Sequence, residues 1–410
     1  MSHTASRASS FGDDSEGSLG TGQVDAHRSP STFSELAKEL SRLIHEVSQV
    51  GLDLEEFALT LQEAALSNTH LRVPDFLGYE MPEDRLFTPV TPAPLGSLTI
   101  GGVDGGLVVG SLAGVDIVGV RAVGVVLQFG SRQINDVRYY PQKRPSLQLI
   151  PSFRRLSHSV LDQMASYHRA IQELQVACKT LQDMSTRVDY LLMDGSFSFK
   201  RVSIPNTYVD TLQGQYYAWL RRLNKTARSV GTDLAWVVKD TRSSLFADFI
   251  GNLLPHVIGQ LPQLYRVDYR RVISAARDSP LMHYFLPPKS RSFVVRRTFG
   301  SEPPYEVTDG SYSFFLSVVP RDIPLRVDFS LPEGASGTTV QEKAQELAEV
   351  LLPLSEYDRT FSLPSPIVEA DARARIPQDE FEILLAALRR RTMAQVESLP
   401  LRRGRSPFHF

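Results

Sequence analysis

Val188–Phe199 reads VDYLLMDGSFSF, a short apolar run that ends abruptly in Asp194-Gly195-Ser196. Val188, Tyr190, Leu191, Leu192 and Met193 predict a strand buried on both faces, because the run is too short for an independent helix and a turn signal closes it. A carboxylate at the end of such a strand is held rigidly at the lip of a sheet. An isolated Asp-Gly is most often simply a turn. Here, however, Leu98–Gly106, LTIGGVDGG, ends a second apolar run in Asp104-Gly105-Gly106. If the two strands are neighbours in one sheet, Asp104 and Asp194 lie side by side and together can hold a divalent metal.

Around these two strands the pattern is that of an α/β protein. Ser97–Phe129 is a Val- and Gly-rich block that predicts three consecutive strands: one into Asp104, one at Leu107–Val109 and one at Val115–Phe129, joined as an antiparallel meander. A polar, basic segment covers Gly130–Pro151. In Leu156–Leu181 the apolar residues Val160, Met164, Tyr167, Ile171, Leu174, Cys178 and Leu181 recur three and four apart, which predicts a helix packed on the sheet. Glu173 lies at the border of that stripe, where a glutamate is ordinarily a solvated flank residue. A helix at Tyr208–Arg228 is followed by a buried strand, Asp233–Lys239, whose end carries a basic residue, Lys239, where the other strand ends carry acids. Alone, such a lysine reads as a solvated ammonium closing the strand.

Further along, Ser243–Leu261 predicts a helix interrupted at Pro255, Arg266–Arg297 is aromatic and basic, and alternation in Ser313–Val319 and Leu325–Leu331 predicts strands. Residues 340–357 and 377–396 have amphipathic helical patterns. Between them lies Pro364–Ile376, PSPIVEADARARI, which contains Asp371. Upstream, residues 1–31 are rich in Ser, Gly and Asp and predict a disordered tail. The apolar spacing in Phe33–Leu66 predicts two helices broken around Val50-Gly51-Leu52, and the proline-rich Val73–Leu95 an irregular connector. His256 in its apolar segment reads as an ordinary core or surface histidine, and His283 is left outside the candidate site. The C-terminal LPLRRGRSPFHF is basic and aromatic, and reads as a frayed terminus or a docking peptide.

Composition sets limits on function. A chain of 410 residues with 42% hydrophobic content builds a sizeable core without staples. The single Cys178 excludes an internal disulfide framework and a cysteine zinc cluster, which fits a reducing cytoplasm. No stretch approaches the ~20 uninterrupted apolar residues of a membrane span, and the N-terminus lacks the plan of a signal peptide. A cytoplasmic protein without membrane contact is expected. The formal charge of −2 carries no global sign of nucleic-acid binding, so that role falls to local patches such as Arg221, Arg222, Lys225 and Arg228, or Arg266–Arg297.

The ordered set of a strand ending in Asp-Gly, a Val-rich meander, a helix with Glu, a strand ending in Asp-Gly-Ser, a strand ending in Lys and a late Ala-Asp-Ala-Arg-Ala-Arg-Ile resembles the NurA nuclease family. The resemblance implies an α/β fold with an RNase H-like mixed sheet flanked by helices. On that basis residues 1–31 are a disordered tail, 32–96 N-terminal helices and a connector, 97–388 the NurA-like domain and 389–410 a basic tail. It implies a deoxyribonuclease acting on single-stranded DNA and, from the 5′ side, on duplex ends, in DNA-end resection and repair. Mn2+ is the implied cofactor, with Mg2+ as the alternative and two ions per site. The implied partners are DNA, a HerA-type hexameric ATPase that translocates DNA, and a second copy in a homodimer.

By match to the family's motifs, Asp104 and Asp194 are the central metal ligands and Glu173 the helix acid. Asp371 stands at a late position that is often His, and Lys239 is the strand-end lysine that faces the scissile phosphate. Two departures stand out: Gly106 where the first motif commonly has Ser, and the charged Asp371 in place of a neutral ligand. Hard divalent ions take carboxylate oxygens, in keeping with Asp and Glu in this pattern. A catalytically idle DNA-end or translocase adaptor of the same fold is the alternative, and an RNA-directed protein of that fold a third reading.

Overall fold

The computed structural model describes residues 33–392 apart from Thr69, 74–78, Ala113, 131–136, 154–155, 184–186, 197–206, Asp240, 298–309, Arg321, Glu333 and 359–360. The expected disordered tail and residues 393–410 of the basic tail lie outside the described residues. Two compact units divide at Gly51.

Helix α1 (Phe33–Ser67) leads into β1 (Tyr79–Glu80) and β2 (Phe87–Pro89). Strands β3 (Thr99–Leu112) and β4 (Val115–Gln128) form a long hairpin, followed by β5 (Val137–Tyr140) and β6 (Gln148–Ser152). Then α2 (His158–Gln182), β7 (Tyr190–Asp194), α3 (Thr207–Val230) and β8 (Asp233–Val238) alternate. Three helices, α4 (Leu245–Val257), α5 (Tyr269–Ala275) and α6 (Asp278–Phe285), precede β9 (Ser290–Ser292), β10 (Arg296–Arg297), β11 (Ser311–Ser317) and β12 (Leu325–Ser330). The described chain ends in α7 (Gly337–Ser355), α8 (Ser365–Ala374) and α9 (Gln378–Thr392).

Ten strands form one mixed sheet in the order β2-β9-β11-β12-β8-β7-β3-β4-β5, with β6 also on β4. Strands β3, β7 and β8 run parallel to one another, and the neighbours on either side are antiparallel. This is the expected α/β architecture, an RNase H-like mixed sheet flanked by helices. The central strands are buried on both faces, as the unbroken apolar run in β7 predicts. Val103, Leu191, Met193 and Trp236 pack with α2 and α3, while Ile100, Leu192, Ala235 and Val237 pack with α7 and Ile367 of α8. A separate cluster joins α4, α5 and α6 to Leu54, Phe57 and Leu61 of α1. Among the described residues no helix is long and apolar enough to cross a membrane.

Glycines in β3 set how closely the helices lie. A side chain on Gly105 would collide with Glu173 of α2, and on Gly102 or Gly106 with the backbone of Pro366 or Ala374 in α8. The alternation of a strand puts Asp104 between Gly102 and Gly106.

Several expectations from the sequence need correction. The strand into Asp104 and the segment Leu107–Val109 are one strand, since Gly105-Gly106 continues the β3 ladder instead of turning. The meander is therefore a two-stranded hairpin, and its third member comes from Gly130–Pro151, which supplies β5 and β6. The expected pair of N-terminal helices is one, because Gly51 inside a strongly periodic helix costs only about 1 kcal/mol and does not break it. Pro255 lies within α4, near its end. The connector Val73–Leu95 contains β1 and β2, and the segment around Asp371 is a helix, α8, opened by Pro364 and Pro366.

Candidate active site

The parallel pairing of β3 with β7 sets Val103 opposite Met193, so the next residues, Asp104 and Asp194, stand side by side at one lip of the sheet. Asp104 is 3% exposed, and its Oδ1 accepts a hydrogen bond from the Gly105 amide at 2.6 Å. At Asp194 the strand ends, and Gly195 follows with φ +88°, a left-handed turn that glycine adopts without strain. Glu173 reaches the pair from α2, where the bare Cα of Gly105 leaves room for it. It is 6% exposed.

Electrostatics identify these three as one cluster. Burial, then the charges of Asp194 and Glu173, push Asp104 up to about 9. Burial also pushes Glu173 up to about 7, against the opposing pull of Arg169. Two cations partly offset the crowding. Lys239, just past β8, puts its Nζ 3.3 Å from Asp194 Oδ1, and Arg169, one turn before Glu173, puts Nη1 3.3 Å from Glu173 Oε1. The same Arg169 Nη1 donates to the Gly105 carbonyl at 3.4 Å. A cleft opens beside the acids, lined by Arg169, Glu173, Asp194, Ser196, Tyr216 and Trp236.

Of the expected site residues, the structure thus brings together Asp104, Glu173, Asp194 and Lys239. Asp371 is exposed on α8, whose buried face is Pro366, Ile367, Ala370 and Ala374. Among the described residues no hydrogen bond or ion pair joins it to the cluster. His256 is exposed on α4, and His283 of α6 shares a hydrogen bond with the Asp322 carbonyl. Three residues went unnoticed in the sequence. Arg169 lies at i−4 from Glu173, a spacing that pairs charges on one helix face and was there to be read. Arg326 and Asp328 on β12 form a buried pair that bonds to Ser196 and Thr241, just past Asp194 and Lys239. Nothing local marks them.

The donor set suits a hard divalent ion. Glu173 Oε1 and Asp194 Oδ1 are buried and accept no hydrogen bond; each has an ion-pair contact at 3.3 Å, to Arg169 and to Lys239, which leaves carboxylate oxygens that a metal ion could still engage. Among the described residues no three acids or histidines close around a common position. Mg2+ and its like usually take one or two carboxylates and complete their shell with water and substrate phosphate.

A family model for the NurA domain matches residues 98–376. The chain belongs to the NurA domain family. The match contains Asp104, Glu173, Asp194, Lys239 and Asp371, and leaves α1 and α9 outside. A solved structure of the NurA nuclease from Sulfolobus solfataricus is similar over 90% of this chain and 100% of that one, with a TM-score of 0.55 at 13% identity, so the likeness is one of fold. Two further NurA structures match less well. One covers 85% of this chain and 96% of its own at 11% identity and TM-score 0.45, and the other, of NurA with manganese, 87% and 99% at 10% and 0.43. No curated protein matches the chain in sequence. Within this NurA domain Gly106 has a local reason: α8 leaves no room for the serine that the family's first motif commonly carries.

Proposed function

We propose that this NurA domain is a divalent-metal-dependent deoxyribonuclease that hydrolyses phosphodiester bonds in single-stranded DNA and at duplex ends. One observation carries the reading: parallel pairing sets Asp104 and Asp194 side by side, with Glu173 near enough to raise the Asp104 pKa and an ammonium 3.3 Å from Asp194. Asp104, Asp194 and Glu173 are the residues that would hold the ion; Asp371 of α8 enters as a further ligand through family resemblance alone. When bound, such an ion lowers the pKa of a water and offsets charge on the phosphate and on the departing 3′ oxygen.

The chain's own residues do the rest. Lys239 presents a compact charge to a phosphate oxygen once that phosphate competes with Asp194 for it. Arg169 holds Glu173 by its i, i+4 ion pair and fixes it against the β3 backbone. Exposed Arg221, Arg222, Lys225 and Arg228 line α3, the helix that contributes Tyr216 to the cleft, and suit contact with the DNA backbone. The preference for Mn2+ over Mg2+, the use of two ions, the 5′ polarity, a homodimer, a HerA-type translocase as partner and a place in DNA-end resection and repair in the cytoplasm belong to this proposal through family resemblance.

An idle adaptor is favoured by one feature, the pairing of two of the three acids with resident cations, Arg169 and Lys239. A single experiment separates the two readings. Purified protein is given end-labelled single-stranded and blunt duplex DNA with Mn2+, with Mg2+ and with chelator. Cleavage in metal and none in chelator is the expected result; no cleavage in any metal, even with the cognate translocase added, selects the adaptor.

A further inference from the structure

Behind the proposed site lies a buried ion pair with an unusual set of partners. Arg326 and Asp328 lie on the same face of β12, opposite Val238 and Trp236 of β8. Arg326 Nε and Nη2 each donate to one oxygen of Asp328 at 2.9 Å, a two-pronged pairing. The remaining bonds reach outward. Arg326 Nη1 donates to Thr241 Oγ1 at 3.0 Å, and Asp328 accepts from Ser313 Oγ of β11 at 2.8 Å and from Ser196 Oγ at 3.2 Å. Ser196 is two residues past Asp194, and Thr241 two residues past Lys239.

We propose that the Arg326–Asp328 pair is a positioning device of the nuclease, which holds Ser196 after β7 and Thr241 after β8 so that Asp194 and Lys239 keep their relation to each other. The inference rests on the nuclease reading of the site. A buried ion pair is a poor way to stabilise a core, since apolar residues of similar volume usually do as well or better. Its advantage is direction: one bond to Thr241 and one to Ser196 tie the residues just past β8 and β7 to a single rigid pair. Asp194 carries a small side chain at the end of a strand, followed by a glycine, and its carboxylate direction therefore depends on where Ser196 is tied. Lys239 depends in the same way on Thr241, whose carbonyl also accepts from Ser279 Oγ at 3.1 Å. Displacements of about 1 Å at such distances cost on the order of 10²-fold in rate.

The test uses the full chain and compares wild type, Asp328→Asn, Arg326→Lys and the double apolar variant Arg326→Met/Asp328→Leu. It reads single-turnover cleavage of labelled single-stranded DNA in Mn2+, DNA affinity in chelator, Mn2+ affinity from the resonance of the free ion, and melting temperature. Positioning predicts at least a 10-fold fall in cleavage rate and weaker Mn2+ binding in all three variants, with DNA affinity within about twofold. The double variant discriminates best: it regains a melting temperature near wild type and remains slow. Recovery of rate and Mn2+ affinity together with stability would mean that the pair serves the fold alone and would overturn the proposal. A wild type that cleaves nothing but binds Mn2+ defeats the nuclease reading, and the clamp is then decided on Mn2+ affinity: unchanged affinity in a folded variant overturns it.

Discussion

Asp104 and Glu173 are carboxyls in places that disfavour their charged forms. Without metal both keep protons on folding that they lose on unfolding, since their ordinary values of 3.8 and 4.5 rise to about 9 and about 7 in the folded protein. The folded state then binds more protons than the unfolded state throughout that window, so stability falls as pH rises through it. In chelator we expect the melting temperature to decline from pH 5 to pH 9, and Asp104→Asn to flatten the decline and melt higher than wild type at pH 8. A flat wild-type profile would show that these carboxyls are not strained. Lys239 argues the same electrostatics from the other side. Lys239→Met should slow cleavage by on the order of 10²–10³ fold, while Mn2+ binds as tightly as in wild type or more tightly, because the ammonium no longer competes for Asp194. Joint loss of metal affinity and rate, measured by titration beside kinetics, would contradict the role given to the lysine.

At the scale of elements, the parts that could be read from sequence are those where one period dominates. Helices α2 and α3 show a clean apolar stripe, and β7 and β8 are short apolar runs closed by turn residues. Strand β3 was harder: its glycines are the residues of turns, yet here they admit α2 on one face and α8 on the other. Strands β5 and β6 flank β4 at the sheet edge, half-buried and partly polar, so they carry no apolar run to recognise. Helix α8 is ten residues with two opening prolines, and only its packing on β3 and β4 makes it a helix. Close packing at Gly106 leads to a direct prediction. Gly106→Ala and Gly106→Ser should each destabilise the protein by about 1–3 kcal/mol through overpacking against Ala374, read by denaturant unfolding. Gly214→Ala in α3, with open space around it, should stabilise by up to about 1 kcal/mol. Equal effects at the two positions would mean that the α8 contact is not tight.

For the whole molecule, the site depends on pairing between strands far apart in the chain. Composition and spacing show two strand-end aspartates and leave open whether their strands are neighbours; that β3 and β7 pair, and in which register, is tertiary information. Arg326 and Asp328 stayed invisible for the same reason, being an ordinary alternating pair until β8 lies beside them. A cluster with raised carboxyls also couples metal binding to folding. Mn2+ at a hundredfold over its dissociation constant should add about 2.7 kcal/mol of stability, seen as a higher melting temperature that Asp194→Asn abolishes. An equal rise in that variant would place the ion elsewhere.

The central claim is that Asp104 and Asp194 act together in metal-dependent cleavage. Its most direct test is single-turnover cleavage of end-labelled single-stranded DNA in Mn2+ by wild type, Asp104→Asn and Asp194→Asn, beside DNA affinity in chelator. The account predicts metal-dependent cleavage by wild type, a loss of at least 10³-fold in each variant, and DNA affinity little changed. Cleavage by either variant at the wild-type rate would contradict it.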